Sequence, residues 1–404
     1  MIWADDSFTY RKKVTISGAQ ISGSLTNFPI LLHTTDTDLT NCRADGYDIK
    51  FYDSGGTSIL SWERQSFNNV DGHLIAWINI PKISSNESHS GNTIWMYYGD
   101  ADASDNSNTT GTWNSDYFLV LHMNQDSAPI LDSTVNNNNS IVEGGTPLYE
   151  QSGKVGYCIR IPSSSGFGFS TAFPKLSDDG NQITIESWIK RNVTGVTNVI
   201  ASRYDGYDSK SAEWYLRFVN TDDTLNWAIR EDPGPGGLTN NYNTTTTFTD
   251  ITNFHYFALR HEAGDGSLTK IFVDGSEDIT CSWTTPASQD MLTEDVSYSG
   301  AIGTLYYTAA APVFRQSISG LQDETRISTT LRSPEWLWTS YSTVYNSGSF
   351  LRFGTEELNT PIPTGPSDCD NPGRIALNTT NYGSELYVQT TNYGNELRQY
   401  NTCS

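Results

Sequence analysis

The sequence predicts an all-β protein made of tandem antiparallel β-sandwiches, followed by a short β-rich repeat tail. Composition is the first indication, because Tyr (22), Phe (16), Trp (11) and Gly (33) are frequent whereas Met (4) is rare; such residues favour strands and tight turns over helices. The second is a series of strand-length apolar segments separated by Gly, Asn, Asp and Ser clusters. At 404 residues the chain also exceeds what one hydrophobic core usually organises, so two or three domains are expected.

The charge balance excludes one class of partner. Asp and Glu number 46 against 24 Lys and Arg, which gives a net charge of −22. Such a chain repels phosphate backbones, so we expect no nucleic acid partner. The oxygen ligands of an acidic chain suit calcium, although an acidic surface that only keeps the protein soluble is the simpler interpretation. No run of about 18 apolar residues occurs, so no membrane insertion is expected.

Residues 1–100 are predicted to form an N-terminal β-sandwich. Five strand-length segments alternate with turn-forming clusters, at 11–16, 28–32, 47–52, 74–80 and 93–98. The stretch resembles an uncharacterised domain family that precedes laminin-G-like modules in bacterial surface proteins and some phage proteins. The matching pieces are Trp3 and segments 10–16, 27–29, 46–51, 76–81 and 94–99. The resemblance implies a β-sandwich and no particular chemistry.

A second, larger module is predicted at 116–355, after an exposed polar linker at 101–115. It resembles laminin-G-like, concanavalin A-like jelly rolls through pieces at 121–124, 131–133, 153–156, 183–188, 254–258, 271–275, 302–303 and 320–327. Asp274-Gly275 predicts a hairpin turn, and Ile183, Ile185 and Trp188 predict a strand buried on one face. Ser333 followed by Pro334 predicts the start of a helix.

The end of the chain combines a Pro-rich linker at 356–367 with a repeat tail at 368–404. An eleven-residue period repeats Thr-Thr-Asn-Tyr-Gly from 379 and from 390, and two copies are too few to form a core alone. We expect the tail to mediate an assembly contact, which would make the protein oligomeric, or to be a floppy end. The five cysteines are widely spaced and odd in number; Cys42, Cys158 and Cys281 are predicted to be lone thiols, and Cys369 and Cys403 a possible disulfide clasp.

Catalytic motifs are absent from the sequence. Some glycoside hydrolases share this architecture, but the Glu-x-Asp-x-x-Glu strand motif of that hydrolase group does not occur. Neither a Gly-x-Ser-x-Gly elbow nor a His-Glu-x-x-His helix is present, and the six histidines are scattered without metal spacing. We therefore expect a protein that is not an enzyme.

Two kinds of binding site are implied by the resemblance. Related concanavalin A-like folds often hold calcium where the first and last strands meet, which makes Asp132, Asp323 and Glu324 candidate calcium ligands; the alternative for the pair 323–324 is a structural role around Arg326. Glycan binding is common among the resembled modules and uses exposed aromatic rings. The candidates in polar, loop-like sequence are Tyr204, Tyr207, Trp214 and Tyr242, with burial in the core as the alternative.

Three functional hypotheses follow. The first is a non-enzymatic phage virion component, a decoration, fibre or tail appendage on the virion surface that contacts glycans or other virion proteins; the lack of a basic and apolar leader before Trp3 favours it. The second is a secreted or cell-surface bacterial adhesin that binds carbohydrate. The third is an accessory module of a polysaccharide hydrolase.

Overall fold

The fold is known from a computed structural model that describes residues 3–169, 173–176, 180–204, 212–230, 239–284, 299–307 and 313–359. For residues 212, 213, 230, 239 and 307 it describes the backbone alone. The chain divides into two compact units, Met1–Glu357 and Leu358–Ser404. Beyond Asn359 the second unit, with the predicted repeat tail and the predicted clasp of Cys369 and Cys403, lies outside the described residues.

The N-terminal module is an antiparallel sandwich, as predicted. Its elements are β1 (Tyr10–Ile16), β2 (Ser24–Thr35), β3 (Lys50–Tyr52), β4 (Trp62–Asn68), β5 (His73–Ser84) and β6 (Thr93–Tyr98), with one-turn 3-10 helices at Gly18–Gln20, Thr37–Asn41 and Ser90–Asn92 and a short helix α1 (Thr109–Thr112). Sheet 2 has the order β2-β5-β4. The β2–β5 pair runs in register from Ser24 opposite Ser84 to Thr35 opposite His73. Consecutive apolar residues of both strands, 30–32 and 74–78, are buried, so both faces of this sheet are covered.

The second module is a jelly roll of two large sheets. Its first elements are β7 (Tyr117–Leu121), β8 (Ser140–Gly144), β9 (Leu148–Ser152), β10 (Tyr157–Ile161), β11 (Gly166–Phe169), β12 (Gln182–Arg191), β13 (Asn198–Tyr204), β14 (Ala212–Phe218), β15 (Thr224–Arg230), β16 (Thr239–Thr247) and β17 (His255–Glu262). Its last strands are β18 (Asp265–Val273), β19 (Ser276–Glu277), β20 (Ser282–Trp283), β21 (Ser299–Ile302), β22 (Leu305–Tyr307), β23 (Val313–Arg315) and β24 (Gly320–Ser328). Sheet 3 has the order β19-β18-β17-β12-β24-β10-β9, with β7 also pairing with β24, and sheet 4 the order β20-β16-β15-β14-β13-β21-β11-β8.

The two modules are joined by elements at the end of the chain. These are helix α2 (Pro334–Tyr345), a short helix α3 (Ser347–Phe350) and strand β25 (Leu351–Leu358). Strand β25 returns to the N-terminal module and pairs with β1, so that sheet 1 has the order β25-β1-β6-β3. Helix α2 packs its Trp336 ring 4.7 Å from the ring of Phe28 on β2. The predicted boundary at 355 therefore falls inside a strand that belongs to the N-terminal sheet.

A shared hydrophobic core reflects this joining. Trp77 of β5, Trp113 and Trp188 of β12 belong to one cluster of buried residues, whereas a second cluster lies between sheets 3 and 4. Trp113 is 3 % exposed, so the end of the predicted exposed linker is part of the core.

Local predictions in the jelly roll have mixed outcomes. Helix α2 begins as predicted, with the Ser333 side chain accepting a hydrogen bond from the Trp336 backbone N–H and Pro334 in the first turn. Asp274 and Gly275 form the predicted turn between β18 and β19, with φ values of 49° and 80°. Strand β12, however, is buried on both faces, because Ile183 lies in the jelly-roll core and Trp188 in the shared core.

Candidate functional site

The aromatic residues predicted to contact glycans have different positions in the structure. Trp214 is fully buried, and its Nε1 donates a hydrogen bond to the Pro174 carbonyl at 3.0 Å. Tyr242 is 6 % exposed and packs against Trp283 at a ring distance of 5.1 Å. The predicted exposure of these two rings is therefore wrong, because strands β14 and β16 turn alternate side chains into the core. Tyr204 is half-buried at the end of β13, and Tyr207 lies outside the described residues.

Asp132, a predicted calcium ligand, organises a loop of the protein. Its Oδ1 accepts hydrogen bonds from the backbone N–H groups of Val120 and Thr134, both at 3.0 Å. Its Oδ2 accepts bonds from the Thr134 hydroxyl and from the Asn138 backbone N–H. Asp132 thus fixes the loop after β7 through local hydrogen bonds.

The other two candidate calcium ligands, Asp323 and Glu324, face different partners. Asp323 Oδ2 accepts hydrogen bonds from the backbone N–H groups of Lys154 at 2.7 Å and Val155 at 3.0 Å, while Glu324 contacts other side chains. Across the part of the chain that the structure describes, no three His, Cys, Asp or Glu side chains form a group that could hold a metal ion. Calcium binding stays a prediction of the sequence, and these three carboxylates do not form one group.

A buried network of charges lies where the two modules meet. His122, just after β7, contacts Glu324 Oε1 through Nδ1 at 2.8 Å and Glu63 Oε2 of β4 through Nε2 at 3.2 Å. Arg326 contacts the other oxygen of Glu324 at 2.9 Å, and Trp113 Nε1 donates to Glu63 at 2.6 Å. Each module thus supplies ions that are paired with partners from the other.

The protonation states of the network follow from these contacts. Burial opposes a charged imidazole, but Glu324 and Glu63 outweigh it and raise the pKa of His122 to about 10. Burial likewise opposes the charge of Glu63, yet His122 and the other hydrogen-bond donors hold the pKa of this carboxyl below its ordinary value. The imidazolium therefore sits between two carboxylates at neutral pH. All three side chains are shielded from water, and the network joins the two modules.

A second set of polar side chains lies on the outer face of sheet 4. We define the polar row as Tyr215 and Arg217 of β14, Asn226 of β15, and Asn241 and Asn243 of β16. Directly opposite pairs of the sheet are Arg217 with Asn226, and Asn226 with Asn243. These side chains therefore share one face, while the residues between them point into the core.

Hydrogen bonds hold the polar row in one arrangement. The fully buried Asn226 accepts a bond from Arg217 Nε at 2.9 Å and donates to the side-chain oxygens of Asn241 and Asn243 at 3.0 and 2.8 Å. The Arg217 guanidinium lies 4.4 Å from the centre of the Tyr215 ring. Tyr215, Arg217, Asn241 and Asn243 are half-buried, and within the described residues the terminal amino groups of Arg217 have no hydrogen-bond partner. The row thus presents an aromatic ring, unpaired guanidinium donors and oriented amides.

Two surface pockets are weaker candidates for a binding site than the polar row. A pocket of about 230 Å³ is lined by Phe248, Phe257 and His255, below the range of roughly 300–1,000 Å³ typical of small-molecule sites. Its imidazole is already held between Asp274 at 2.7 Å and Asp250 at 3.2 Å. The other is a broad groove of about 570 Å³ beside β8 and β23, which opens widely to solvent. We therefore take the polar row as the candidate site.

Comparisons with protein families support the predicted order of the two modules. Residues 45–127 match a family described as a domain of unknown function (DUF2341). Residues 165–337 match the concanavalin A-like lectin/glucanases superfamily. The predicted pairing of an uncharacterised domain with a laminin-G-like jelly roll is thereby confirmed. A search of curated proteins finds no match.

Solved structures with similarity to this chain include domain 4 of AbnA, an extracellular arabinanase from Geobacillus stearothermophilus, in complex with arabinotriose. The sequence identity is 19 %, and the TM-score is 0.40. The match covers 56 % of this chain and 100 % of that domain. The IT-sialidase CBM40 of Ruminococcus gnavus, bound to sialyllactose, is 14 % identical over 45 % of this chain and 95 % of that one, with a TM-score of 0.35. The receptor binding domain of botulinum neurotoxin mosaic serotype C/D is 13 % identical, with a TM-score of 0.38, and this chain covers 50 % of it and is itself 56 % covered.

Proposed function

We propose that this chain, whose central module matches the concanavalin A-like lectin/glucanases superfamily, is a non-catalytic glycan-binding protein of the cell exterior. The observation that carries the proposal is the polar row on sheet 4. Sugars are bound by stacking of their apolar ring faces on aromatic side chains, beside a few oriented hydrogen-bonding groups. Tyr215 can supply the first kind of contact, and Arg217 with Asn243 the second.

The fixed geometry of the row favours binding. Because Asn226 already orients Arg217, Asn241 and Asn243 through hydrogen bonds, these side chains lose little conformational entropy when a ligand binds. The guanidinium donors of Arg217 match sugar hydroxyl oxygens and carboxylates alike. A neutral sugar, through its hydroxyl groups, and an acidic sugar, through its carboxylate, would each replace water at the polar row.

The absence of catalysis is part of the proposal. The sequence lacks the paired-carboxylate motif of the related hydrolases. Glu63 and Glu324, the two carboxylates that flank His122, are buried and paired with it. In the described residues no helix is both long and apolar enough to cross a membrane. Display on a phage particle stays a prediction from the sequence, with a bacterial adhesin as its alternative.

A glycan array tests the proposal. The full chain should bind a defined subset of printed neutral or acidic oligosaccharides, and Arg217→Gln should weaken that binding by about tenfold or more, as loss of one charge-assisted hydrogen bond predicts. The matched control is Arg160→Gln, which changes an exposed arginine of β10 on sheet 3 and should leave binding unchanged. Equal binding by wild type and Arg217→Gln would count against the polar row, and release of sugar from any bound polysaccharide would contradict the non-catalytic function.

A further inference from the structure

A group of aromatic side chains lies along helix α2, from the edge of the shared core out to solvent. We define the aromatic platform as Trp338, Tyr341 and Tyr345, which are spaced by three and four residues and so lie on one face of the helix. The rings of Tyr341 and Tyr345 are stacked, with centroids 4.9 Å apart and planes 18° apart. Trp338 contacts Tyr341 at 6.0 Å. Tyr345 is 57 % exposed.

The platform is rigid because sheet 3 supports it from below. The buried ring of Trp188 on β12 stacks on Tyr341 at 5.6 Å with an interplanar angle of 17°. The turn after β18 approaches closely, since a Cβ added at Gly275 would lie 3.0 Å from the Tyr341 ring and 3.1 Å from the Trp338 ring. Tyr341 is thus fixed between a buried indole and an exposed phenol ring.

The stability of the helix does not depend on the exposed ring. The adjacent side of α2 carries the buried residues Trp336, Leu337 and Val344, which contribute to the shared core. Tyr345 therefore adds little to the core, and the part of its ring that Tyr341 does not cover is open to solvent.

A positive charge lies beside the rings. Lys154 Nζ is 4.9 Å from the centre of the Trp188 ring and 4.8 Å from that of Tyr345. Among the described residues no carboxylate lies within ion-pair distance of this ammonium. Burial lowers the pKa of Lys154, and the distant charges of Asp274 and Asp323 offset this only in part. A half-buried ammonium without a bonded anion favours an acidic ligand.

We propose that the aromatic platform and Lys154 form a second glycan site, which binds a carboxylated sugar ring such as a uronic or sialic acid residue. The apolar face of the ring stacks on Tyr345, and its carboxylate pairs with the Lys154 ammonium. Stacking provides the apolar contact and the ion pair provides selectivity for the acidic sugar. The chain itself is strongly acidic, with a net charge of −22, so a cation beside aromatic rings is a local point of attraction for an acidic glycan.

This site is separate from the polar row. The platform lies against sheet 3, through Trp188 of β12, whereas the polar row lies on the outer face of sheet 4. The two sites can therefore bind two segments of one polysaccharide, or two chains, and the second site does not depend on the first. Simultaneous binding at both would raise avidity without any new contact.

Calorimetric titration of the full chain tests the second site with three acidic probes, which are hexagalacturonate, a hyaluronan octasaccharide and trisialic acid. At least one should bind the wild type, and Tyr345→Ala and Lys154→Met should each weaken that binding by about fivefold or more, as loss of one stacking contact or one ion pair predicts. If hexagalacturonate binds, its methyl ester, which keeps the ring and loses the charge, should bind more weakly. Tyr47→Ala and Lys82→Ala, on the N-terminal module, are the matched controls and should bind as the wild type does.

The outcomes separate the two sites. Arg217→Gln should keep the acidic probe at the platform, so loss of that binding in Arg217→Gln together with wild-type binding by Tyr345→Ala would overturn the second site. Failure of all three probes to bind the wild type at millimolar concentration would also overturn it. Sedimentation that shows self-association of the wild type, abolished by Tyr345→Ala, would identify the platform instead as a contact between copies of the chain and would equally overturn the proposal.

Discussion

The two sheets of the jelly roll differ in the burial and pairing of the polar residues on their outer faces. On sheet 3, Glu324 and Arg326 are buried under the N-terminal module and contact each other, and Glu324 also contacts His122. On sheet 4, Arg217 and Asn243 are half-buried and keep donors without protein partners in the described residues. Buried charges are tolerated only when they are paired, whereas exposed polar groups can remain available to a ligand. The buried ions of sheet 3 therefore join the modules, whereas the outer face of sheet 4 offers the groups on which the proposed glycan binding rests.

The largest expected effect comes from removing the elements that join the two modules. A chain that ends after Thr330 loses α2 and β25, and with them the partner strand of β1 and the Thr343 hydroxyl that accepts a bond from the Leu31 N–H at 2.9 Å. The N-terminal module should then be degraded by a protease, while the jelly-roll core between sheets 3 and 4, to which these elements contribute no residue in the described chain, should survive.

Limited proteolysis followed by mass spectrometry distinguishes the fragments. The control chain ends after Gly365, retains α2 and β25, and should resist proteolysis in both modules. A stable N-terminal fragment from the shorter chain would show that the first sandwich folds without its last strand.

An intermediate effect is expected from breaking one buried ion contact. Glu324→Ala leaves His122 and Arg326 without their shared carboxylate, and loss of one partner from a buried ion network costs about 3–5 kcal/mol of unfolding free energy. Glu277→Ala is the matched control, because it removes a surface partner of Lys270, at 3.1 Å, and should cost about 0–1 kcal/mol. Urea denaturation of both variants measures the difference, and equal losses would remove the distinction between the two kinds of ion pair.

Sequence patterns predict the modules better than they predict the contact between them. The alternation of apolar residues locates β1, β5 and β6. It does not locate β4 (Trp62–Asn68), because the charged residues Glu63 and Arg64 give this segment the polarity of a loop. Glu63 is buried only because His122 and Trp113 from outside the sandwich pair with it. Such compensation depends on tertiary contacts that no local period encodes.

The candidate sites also differ in how far the sequence predicts them. The inward position of Trp214 could have been predicted, since Trp214, Leu216 and Phe218 alternate along one strand. The spacing of Tyr341 and Tyr345 after the predicted helix start at Ser333 is also visible in the sequence. The polar row could not be predicted, because opposite residues such as Arg217 and Asn226 are paired by strand register, which follows from the turn geometry and the core.

The smallest expected effect is the pH dependence of the stability that His122 contributes through its contacts with Glu63 and Glu324. His122 has its pKa raised from the ordinary value of about 6.5 to about 10 in the folded protein, so its charge stabilises the fold fully below about pH 6.5 and this contribution is lost as the pH approaches 10. His122→Gln cannot titrate. The difference in unfolding free energy between wild type and His122→Gln should therefore shrink as the pH rises from about 7 to about 9.5. Urea denaturation at the two pH values measures it. A difference that stays constant or grows would mean that His122 is not held as an imidazolium between Glu63 and Glu324. Glycan binding at the polar row of sheet 4 should be the same in wild type and His122→Gln.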